Sequence, residues 1–280
     1  MYGLTPADLE IQARARAFAD ELIPYEVETE LAGGHLKPEL AEAHHRRALD
    51  LGLYATNMPA GLGGGGCTTL QQVLVQEQVG RVTNGLAWVM HTPAAWFAEV
   101  ATPYQRDRWL RPTVRGEMQE CYAITEEGAG SDVDAITATA RRDGNEYVLD
   151  GVKWHVTSYE HAAYAFVQAK LGDAHALFVV DLPSNGVRVV RTPAYTHSIT
   201  HEHPIVAFES VRVPKEHLVG AEGDGMAFSY AWFRFERLMV AARCLGAAER
   251  LIAAADAFAS TRIVNGEPLR ERQLVAAMLA

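Results

Sequence analysis

The residues best suited to chemistry lie in one stretch, CYAITEEGAGSD, from Cys121 to Asp132. A β-rich run there gives way to a turn that holds Gly128, Gly130 and Ser131, and glycines let a backbone approach a ligand closely. Such a turn suits a flat or phosphorylated cofactor. A tight loop between two strands has the same composition, and on these residues alone that alternative is the more common one.

A β-hairpin is predicted directly after this turn. Ala138 and Ala140 alternate with polar residues, Asp143-Gly144 supply a turn, and residues 146–149 run back along the first strand. Asp150-Gly151 then turns the chain again, into the segment VKWHVTS. The stretch is therefore predicted to form a strand, a glycine-rich turn and a hairpin.

In combination, these segments resemble the acyl-CoA dehydrogenases, flavoenzymes of fatty-acid and amino-acid breakdown. The middle domain of that family carries a YxxTEPGAGSD motif followed by a DGxxYVLxGxKxWIT motif. The resemblance extends along almost the whole chain and stops before the family's last helices. The matching residues are Tyr122, Thr125, Glu126, Gly128, Ala129, Gly130, Ser131 and Asp132, then Gly144, Tyr147, Gly151, Lys153 and Thr157.

The elements around these motifs divide into a helical, a β-rich and a second helical part. Thr5-Pro6 caps a first helix, and short β-branched runs after residue 117 indicate a barrel or a sandwich. The resemblance implies an N-terminal all-α domain at 1–117, a middle β-barrel at 118–222 and the start of a C-terminal helical bundle at 223–280. Further helices are predicted at 39–52, 70–80, 84–100 with a break at Pro93, 226–259, and from Leu269 onward.

Composition narrows the class of protein. The 280 residues are 49% hydrophobic, which is enough for cores of ordinary size. A formal charge of −10 disfavours binding to nucleic acid or to an anionic membrane through a positive field. Three widely spaced cysteines indicate free thiols, and no apolar run predicts a signal peptide or a membrane span. We expect a cytoplasmic protein.

Two other motifs indicate neither a phosphate site nor a metal site. The run from Gly63 to Gly66 lacks the following Lys-Ser or Lys-Thr and the preceding strand of a phosphate-binding loop, so a close-packed turn is expected. His197 and His201 have HxxxH spacing, with His203 nearby, but that spacing aligns two imidazoles only on a helix. The region is predicted as strand and loop, and we expect no metal.

The resemblance implies FAD as the cofactor. Thr125 would donate to the edge of the flavin ring, Ser131 would bind the pyrophosphate or nearby substrate, and Thr157 would contact the ring near N5. Arg262 and Gln273 match positions that reach the FAD of a neighbouring subunit, which implies a homo- or hetero-oligomer, dimer or tetramer. For Arg262, a charge at the end of a helix is the alternative. The other flavin contacts implied are Tyr122, Ile124, Gly130 and His155.

The reaction implied is α,β-dehydrogenation of an acyl-CoA thioester, with an electron-transferring flavoprotein as acceptor. In one branch of the family the base is a glutamate that directly precedes an arginine, as Glu236 precedes Arg237. A helix ion pair of Glu236 with Arg234 or Arg243 is the alternative. The substrate contacts implied are Ser131, Val89, Thr92 and Arg237; for Val89 and Thr92, simple core packing is the competing interpretation.

The sequence also departs from the family pattern. Glu127 stands where the family has proline, His155 where it has a tryptophan that stacks on the flavin, and Asn265 where it has phenylalanine. Other functions of this fold therefore stay open at this point. One is a non-catalytic helper subunit that completes the FAD site of a partner, and another is a flavin oxidase or monooxygenase.

Overall fold

The N-terminal region is helical. A computed structural model describes residues 3–83, 85–197, 199 and 202–280. The first helix begins as expected, because Thr5 Oγ1 accepts a hydrogen bond from the Asp8 amide at 3.3 Å and the Asp8 carboxylate accepts one from the Thr5 amide at 2.9 Å. The helices are α1 (Pro6–Leu22), α2 (Glu26–Leu31), α3 (Pro38–Asp50), α4 (Thr69–Val79), α5 (Ala95–Val100), α6 (Pro103–Gln105) and, after a π-helical turn at Arg106–Leu110, α7 (Arg111–Val114).

The segment predicted as a helix over 84–100 has its expected break at Pro93, but the part before the proline is not the predicted α-helix. Its first residue, Asn84, lies outside the described residues, and the rest forms a short 3₁₀ turn, Leu86–Val89, followed by α5. The chain between them is non-helical. Pro93 causes this break, because proline cannot donate to a helix and keeps the preceding residue out of the helical region. Gly85, at φ +67°, bends the other end.

The middle region is a seven-stranded curled sheet, which confirms the predicted β-rich domain. Its order is β1-β4-β2-β3-β7-β6, with β5 on the other edge of β4. Strand β4 pairs in parallel with β1 along its first half and with β2 at its end. The strands are β1 (Glu120–Ala123), β2 (Thr139–Asp143), β3 (Glu146–Lys153), β4 (Tyr164–Leu171), β5 (Ala174–Asp181), β6 (Val187–Arg191) and β7 (Ile205–Pro214).

The predicted hairpin is formed by β2 and β3, with its turn one residue later than expected. Asp143 pairs with Glu146, so Gly144 and Asn145 are the turn residues. Gly144 has φ +63°, a conformation that costs glycine little. Inward-facing side chains of β1–β5 and β7 then meet in one apolar cluster inside the curled sheet. Strand β3 therefore runs back toward the loop that carries the glycine-rich turn.

The C-terminal region is dominated by one long helix, α8 (Gly225–Thr261), which packs against α4. Two short strands, β8 (Ile263–Val264) and β9 (Glu267–Pro268), and a last helix, α9 (Gln273–Leu279), follow. No helix in the described part of the chain has the length and apolar character needed to cross a bilayer. Cys67, Cys121 and Cys244 are free thiols, as expected.

A shared aromatic core joins the helices to the sheet. Trp96 packs edge-on against Phe166 of β4 at 5.0 Å between ring centroids and stacks on Phe228 of α8 at 5.0 Å. Trp109 is fully buried and its indole N–H donates to Asp181 at the end of β5, at 2.8 Å. Because these contacts tie N-terminal helices, β4, β5 and α8 together, the elements that carry the predicted site residues are fixed relative to one another.

Candidate active site

The two motif segments lie side by side. Thr125 follows β1, and its carbonyl oxygen accepts a hydrogen bond from the Trp154 amide, just beyond β3, at 2.7 Å. This bond places Thr125 next to the loop that carries His155 and Thr157. The sheet topology produces it, because β1 and the β2–β3 hairpin both pair with β4.

The glycine-rich turn has an open backbone. Glu126 and Ala129 exchange amide-to-carbonyl hydrogen bonds at 3.1 Å in each direction, which closes a tight turn. A Cβ atom built on Gly128 or Gly130 would meet nothing within 4 Å, and Ser131 is exposed beside them. A phosphate group can therefore approach these amides without hindrance.

A buried ion pair lies directly behind the turn, and the sequence reasoning missed it. Lys153 Nζ donates to Glu126 Oε1 at 2.8 Å and to the Ile124 carbonyl at 2.9 Å. The Glu126 carboxylate also accepts the amides of Thr137, at 2.6 Å, and Ala138, at 2.9 Å. The sequence does contain a signal for this pair: Lys153 occupies an inward-facing position of a strand, and a buried lysine requires a partner.

Burial and ion pairing shift the pKa values of Lys153 and Glu126 in opposite directions. Burial of Lys153 lowers the pKa of its ammonium to about 8, although Glu126 works against this shift. Burial also favours the neutral form of Glu126, but Lys153 and the Thr137 donors outweigh it and hold the pKa of that carboxyl below its usual range. We conclude that the pair is ionised at neutral pH.

A second polar cluster surrounds His155. The Tyr195 hydroxyl donates to the His203 carbonyl at 2.9 Å and lies 2.7 Å from His155 Nδ1. Because the phenol has one hydrogen, His155 Nδ1 must be the donor in that contact, which leaves Nε2 as the acceptor of a neutral ring. Thr157 Oγ1 lies 2.8 Å from His203 Nδ1. Burial lowers the pKa of His203 despite the opposing charge of Glu202.

No metal site is evident at these histidines. Among the residues that the structure describes, no group of three or more His, Cys, Asp or Glu side chains is arranged to hold a metal ion. His201, one of the histidines of the HxxxH spacing, lies outside the described residues. His197 and His203 contact each other through their rings, with centroids 5.2 Å apart.

Tyr122 lies in the aromatic core beside the motif. Its ring stacks on Trp232 of α8, with centroids 4.6 Å apart and an interplanar angle of 4°. The Tyr122 hydroxyl is buried. Burial raises the pKa of this phenol, and the side chain of Ser229 on α8 acts against that shift. Ile124, two residues further on, is buried.

Glu236 is held by an ion pair. Its Oε2 atom accepts from Arg243 Nη2 at 2.9 Å, and Arg243 Nη1 donates to Gln76 of α4 at 2.7 Å. The Glu236 side chain is 30% exposed. Of the two pairings left open by the sequence, the structure contains the one with Arg243. Glu236 is therefore a half-buried carboxylate at the contact between α4 and α8.

The remaining predicted residues are dispersed. Val89 is half-buried at the end of the 3₁₀ turn, and Thr92 is half-buried in the non-helical stretch before α5. Arg237 is exposed on α8, Arg262 is exposed at the end of α8, and Gln273 is exposed at the start of α9. These residues therefore belong to four different elements of the fold.

A cavity of about 450 Å³ lies between the N-terminal helices and the sheet. Val89 and Ser158, the neighbour of Thr157, both line it. Two imidazoles of the lining meet carboxylates: His91 lies 3.0 Å from Glu120, and His161 lies 3.7 Å from Glu202. Thr125, Thr157 and Glu236 are not among the residues that line the cavity.

The residues present fit FAD. The open turn at Gly128–Ser131 leaves room for a pyrophosphate, and the adjoining loop, which is held to the Thr125 carbonyl through Trp154, exposes His155 and Thr157. Neutral donors and a free backbone are the groups that hold a flavin nucleotide.

Comparisons with known proteins agree with this architecture. Family models described as acyl-CoA dehydrogenase N-terminal, middle and C-terminal domains match residues 5–117, 121–209 and 223–280. FadE12, an acyl-CoA dehydrogenase of Mycobacterium tuberculosis, is 32% identical over 82% of this chain and 61% of its own length. The chain thus spans about three fifths of that relative.

Solved structures extend the likeness. A crystal structure assigned to an acyl-CoA dehydrogenase of Mycobacterium smegmatis is 31% identical, with a TM-score of 0.86 over 99% of this chain and 74% of that one. A glutaryl-CoA dehydrogenase from Mycobacterium smegmatis in complex with FADH2 is 23% identical, with a TM-score of 0.88 over 99% and 71% of the two chains, and it shows the shared fold.

Helices, a curled sheet and a long helix follow one another in this order, with an open glycine-rich turn at the sheet, which is the order of the three matched domains. The chain belongs to the acyl-CoA dehydrogenase family. The resemblance found in the sequence is confirmed.

Proposed function

We propose that the chain carries out FAD-dependent α,β-dehydrogenation of an acyl-CoA thioester. The observation that carries this proposal is the Trp154–Thr125 hydrogen bond of 2.7 Å, which sets the glycine-rich turn beside the His155–Thr157 loop at one end of the sheet. When bound there, FAD supplies the acceptor for the hydride that leaves the β-carbon. The chain's own residues orient the two partners and remove the α-proton.

Different residues would contact different parts of FAD. Gly130 and Ser131 accommodate the pyrophosphate, and Thr125 and Thr157 donate to the ring, where fixed donors stabilise the charge that builds up on reduction. Around them, Tyr122, Ile124 and His155 enclose the ring. Arg262 and Gln273 match family positions that serve a neighbouring subunit, so we propose that they reach the FAD of a second subunit in a homo- or hetero-oligomer, a dimer or a tetramer.

Glu236 is the proposed base. Proton removal requires its carboxylate to leave Arg243 and meet the α-carbon of the thioester, held by Ser131, Val89, Thr92 and Arg237. A carboxylate that exchanges an arginine for a dry site becomes more basic, because burial disfavours its charged form. The carbon–hydrogen bond at the α-position breaks to give the proton to Glu236, and the β-carbon gives up a hydride, so the substrate loses two electrons.

The other assignments that we propose follow from the family. An electron-transferring flavoprotein would be the external electron acceptor. Three free thiols suit a reducing compartment, and we propose a cytoplasmic location. The domain boundaries at residues 117/118 and 222/223 remain our proposal as well.

Glu236→Gln tests the role of the base. The substitution keeps the shape of the side chain and removes its proton acceptor, so anaerobic reduction of bound flavin by an acyl-CoA should slow by roughly 10²- to 10⁴-fold while FAD stays bound. Stopped-flow measurement of the visible flavin absorbance reads the rate. Glu249→Gln is the matched control, since Glu249 lies on the same helix and is 53% exposed. Retained reduction in Glu236→Gln would move the base to another residue.

A further inference from the structure

The loop that carries the glycine-rich turn is tied at both ends by one buried carboxylate. Glu126 begins the loop, and its carboxylate accepts the Thr137 amide at 2.6 Å, the Thr137 hydroxyl at 2.7 Å and the Ala138 amide at 2.9 Å, where the loop ends. Both ends of the loop formed by residues 127–136 are thus anchored at the Glu126 side chain. The closure is made by a side chain and not by strand pairing.

Lys153 extends this closure to the second motif segment. Its ammonium is fully buried and donates both to Glu126, at 2.8 Å, and to the carbonyl of Ile124, at 2.9 Å. The next residue, Trp154, donates its amide to the Thr125 carbonyl. Two successive residues of one segment therefore hold two successive carbonyls of the other, and the spacing between Thr125 and the His155–Thr157 loop is set by this register.

The loop is also held by the two Glu126–Ala129 backbone bonds and by the buried side chains of Val133 and Ile136, but the stretch around the glycines is open. Gly128 and Gly130 have no neighbour within 4 Å of a Cβ position, and Ser131 and Asp132 are exposed. Glycines lose much conformational freedom when they are ordered. Fixing the ends of the loop therefore restricts the conformations that are open to its exposed glycines.

We propose that Glu126 and Lys153 are positioning residues that hold the glycine-rich turn and the Thr157 loop in the arrangement that the flavin nucleotide requires. This inference rests on the proposed function. Both side chains are buried behind the turn, and each bonds to backbone groups of the two motif segments. A charged pair is suited to this task because each partner is stable in the interior only when the other is in place, which favours one geometry.

The test uses the full chain and separates positioning from stability. Glu126→Gln leaves the Lys153 ammonium buried without a charged partner, and the double variant Glu126→Gln/Lys153→Met removes both charges at similar volume. Replacing a buried pair in this way is often neutral for stability, so the double variant should melt near the wild-type temperature. Glu127→Gln is the matched control, since it removes one charge from the exposed neighbouring residue.

Two readouts are taken on each variant. Hydrogen exchange of residues 127–136, measured by mass spectrometry on flavin-free protein, should be at least about tenfold faster in Glu126→Gln and in the double variant than in wild type. FAD affinity, measured by flavin fluorescence, should be roughly 10- to 100-fold weaker in both. Glu127→Gln should match wild type in loop exchange.

The outcomes decide the proposal. Faster exchange and weaker FAD binding in a double variant of normal stability support positioning, whereas a double variant with wild-type loop protection and affinity overturns it. A wild-type chain that binds no FAD contradicts the proposed function instead. The flavin-free exchange then decides alone: a faster loop in Glu126→Gln supports the positioning role, and an unchanged loop overturns it.

Discussion

Helix α8 approaches α4 so closely that the contact tolerates only glycine. A Cβ atom on Gly246 would overlap the carbonyl oxygen of Glu77, and one on Gly80 would overlap the carbonyl oxygen of Arg243. Both obstacles are backbone atoms, so no rotamer change relieves them. Since α8 carries Glu236 and Arg243, this crossing sets where the proposed base lies.

The substitution Gly246→Ala measures the tightness of this crossing. Alanine in a helix interior is favoured over glycine by about 1 kcal/mol. Overpacking costs about 1–3 kcal/mol, and we take the upper end because the helices must separate. The net loss is about 2 kcal/mol, which lowers the melting temperature by roughly 4–8 °C in a chain of this size. Thermal unfolding followed by circular dichroism provides the measurement.

Ala248→Gly is the control on the same helix. Ala248 is exposed, so its replacement should cost only the propensity difference of about 1 kcal/mol. Helix propensity alone would make Gly246→Ala stabilising and Ala248→Gly destabilising. A loss of stability in Gly246→Ala would therefore come from the close contact between α8 and α4. If Gly246→Ala were as stable as wild type or more so, the close approach of α4 and α8 would be refuted.

Two further predictions concern the turn and the response to acid. Gly130→Ala adds a methyl group that meets nothing within 4 Å, so the free energy of unfolding should change by less than about 0.5 kcal/mol while FAD affinity falls; unchanged affinity in a flavin titration would show that no ligand approaches this turn. Glu26 is bound to Arg250 by two contacts of 2.6 Å, and although burial opposes it, Arg250 and the Thr83 amide lower the Glu26 pKa below its ordinary value of 4.5. The folded state therefore binds fewer protons than the unfolded state, and the stability from Glu26 is complete above pH 4.5 and lost as pH falls through the folded pKa. Urea unfolding between about pH 3 and pH 6 should show a steeper loss for wild type than for Glu26→Gln, and equal slopes would contradict this assignment.

Local signals in the sequence predicted several elements well. Thr5-Pro6 predicted the start of α1 because capping depends on neighbouring residues only, and the periodic run from Met226 predicted most of α8. The segment over 84–100 was less predictable. Apolar residues fill it, but Gly85 and Pro93 interrupt the helix at both sides of Leu86–Val89.

The candidate site was predictable only as a set of motif positions. Thr125 and Thr157 belong to recognisable segments, and the sheet brings those segments together as the motifs imply. Contacts between distant residues could not be read in advance: Glu236 was equally compatible with two arginines, and only the packing of Gln76 beside Arg243 selects one of them. The ion pair of Glu126 with Lys153 likewise depends on the register of three strands.

The visible spectrum of the purified chain, before and after anaerobic addition of an acyl-CoA, tests the central claim most directly. The proposed function predicts an oxidised flavin spectrum that bleaches when the thioester is added and stays unchanged when coenzyme A alone is added. A colourless protein that takes up no FAD, or a yellow protein that no acyl-CoA reduces, would contradict it.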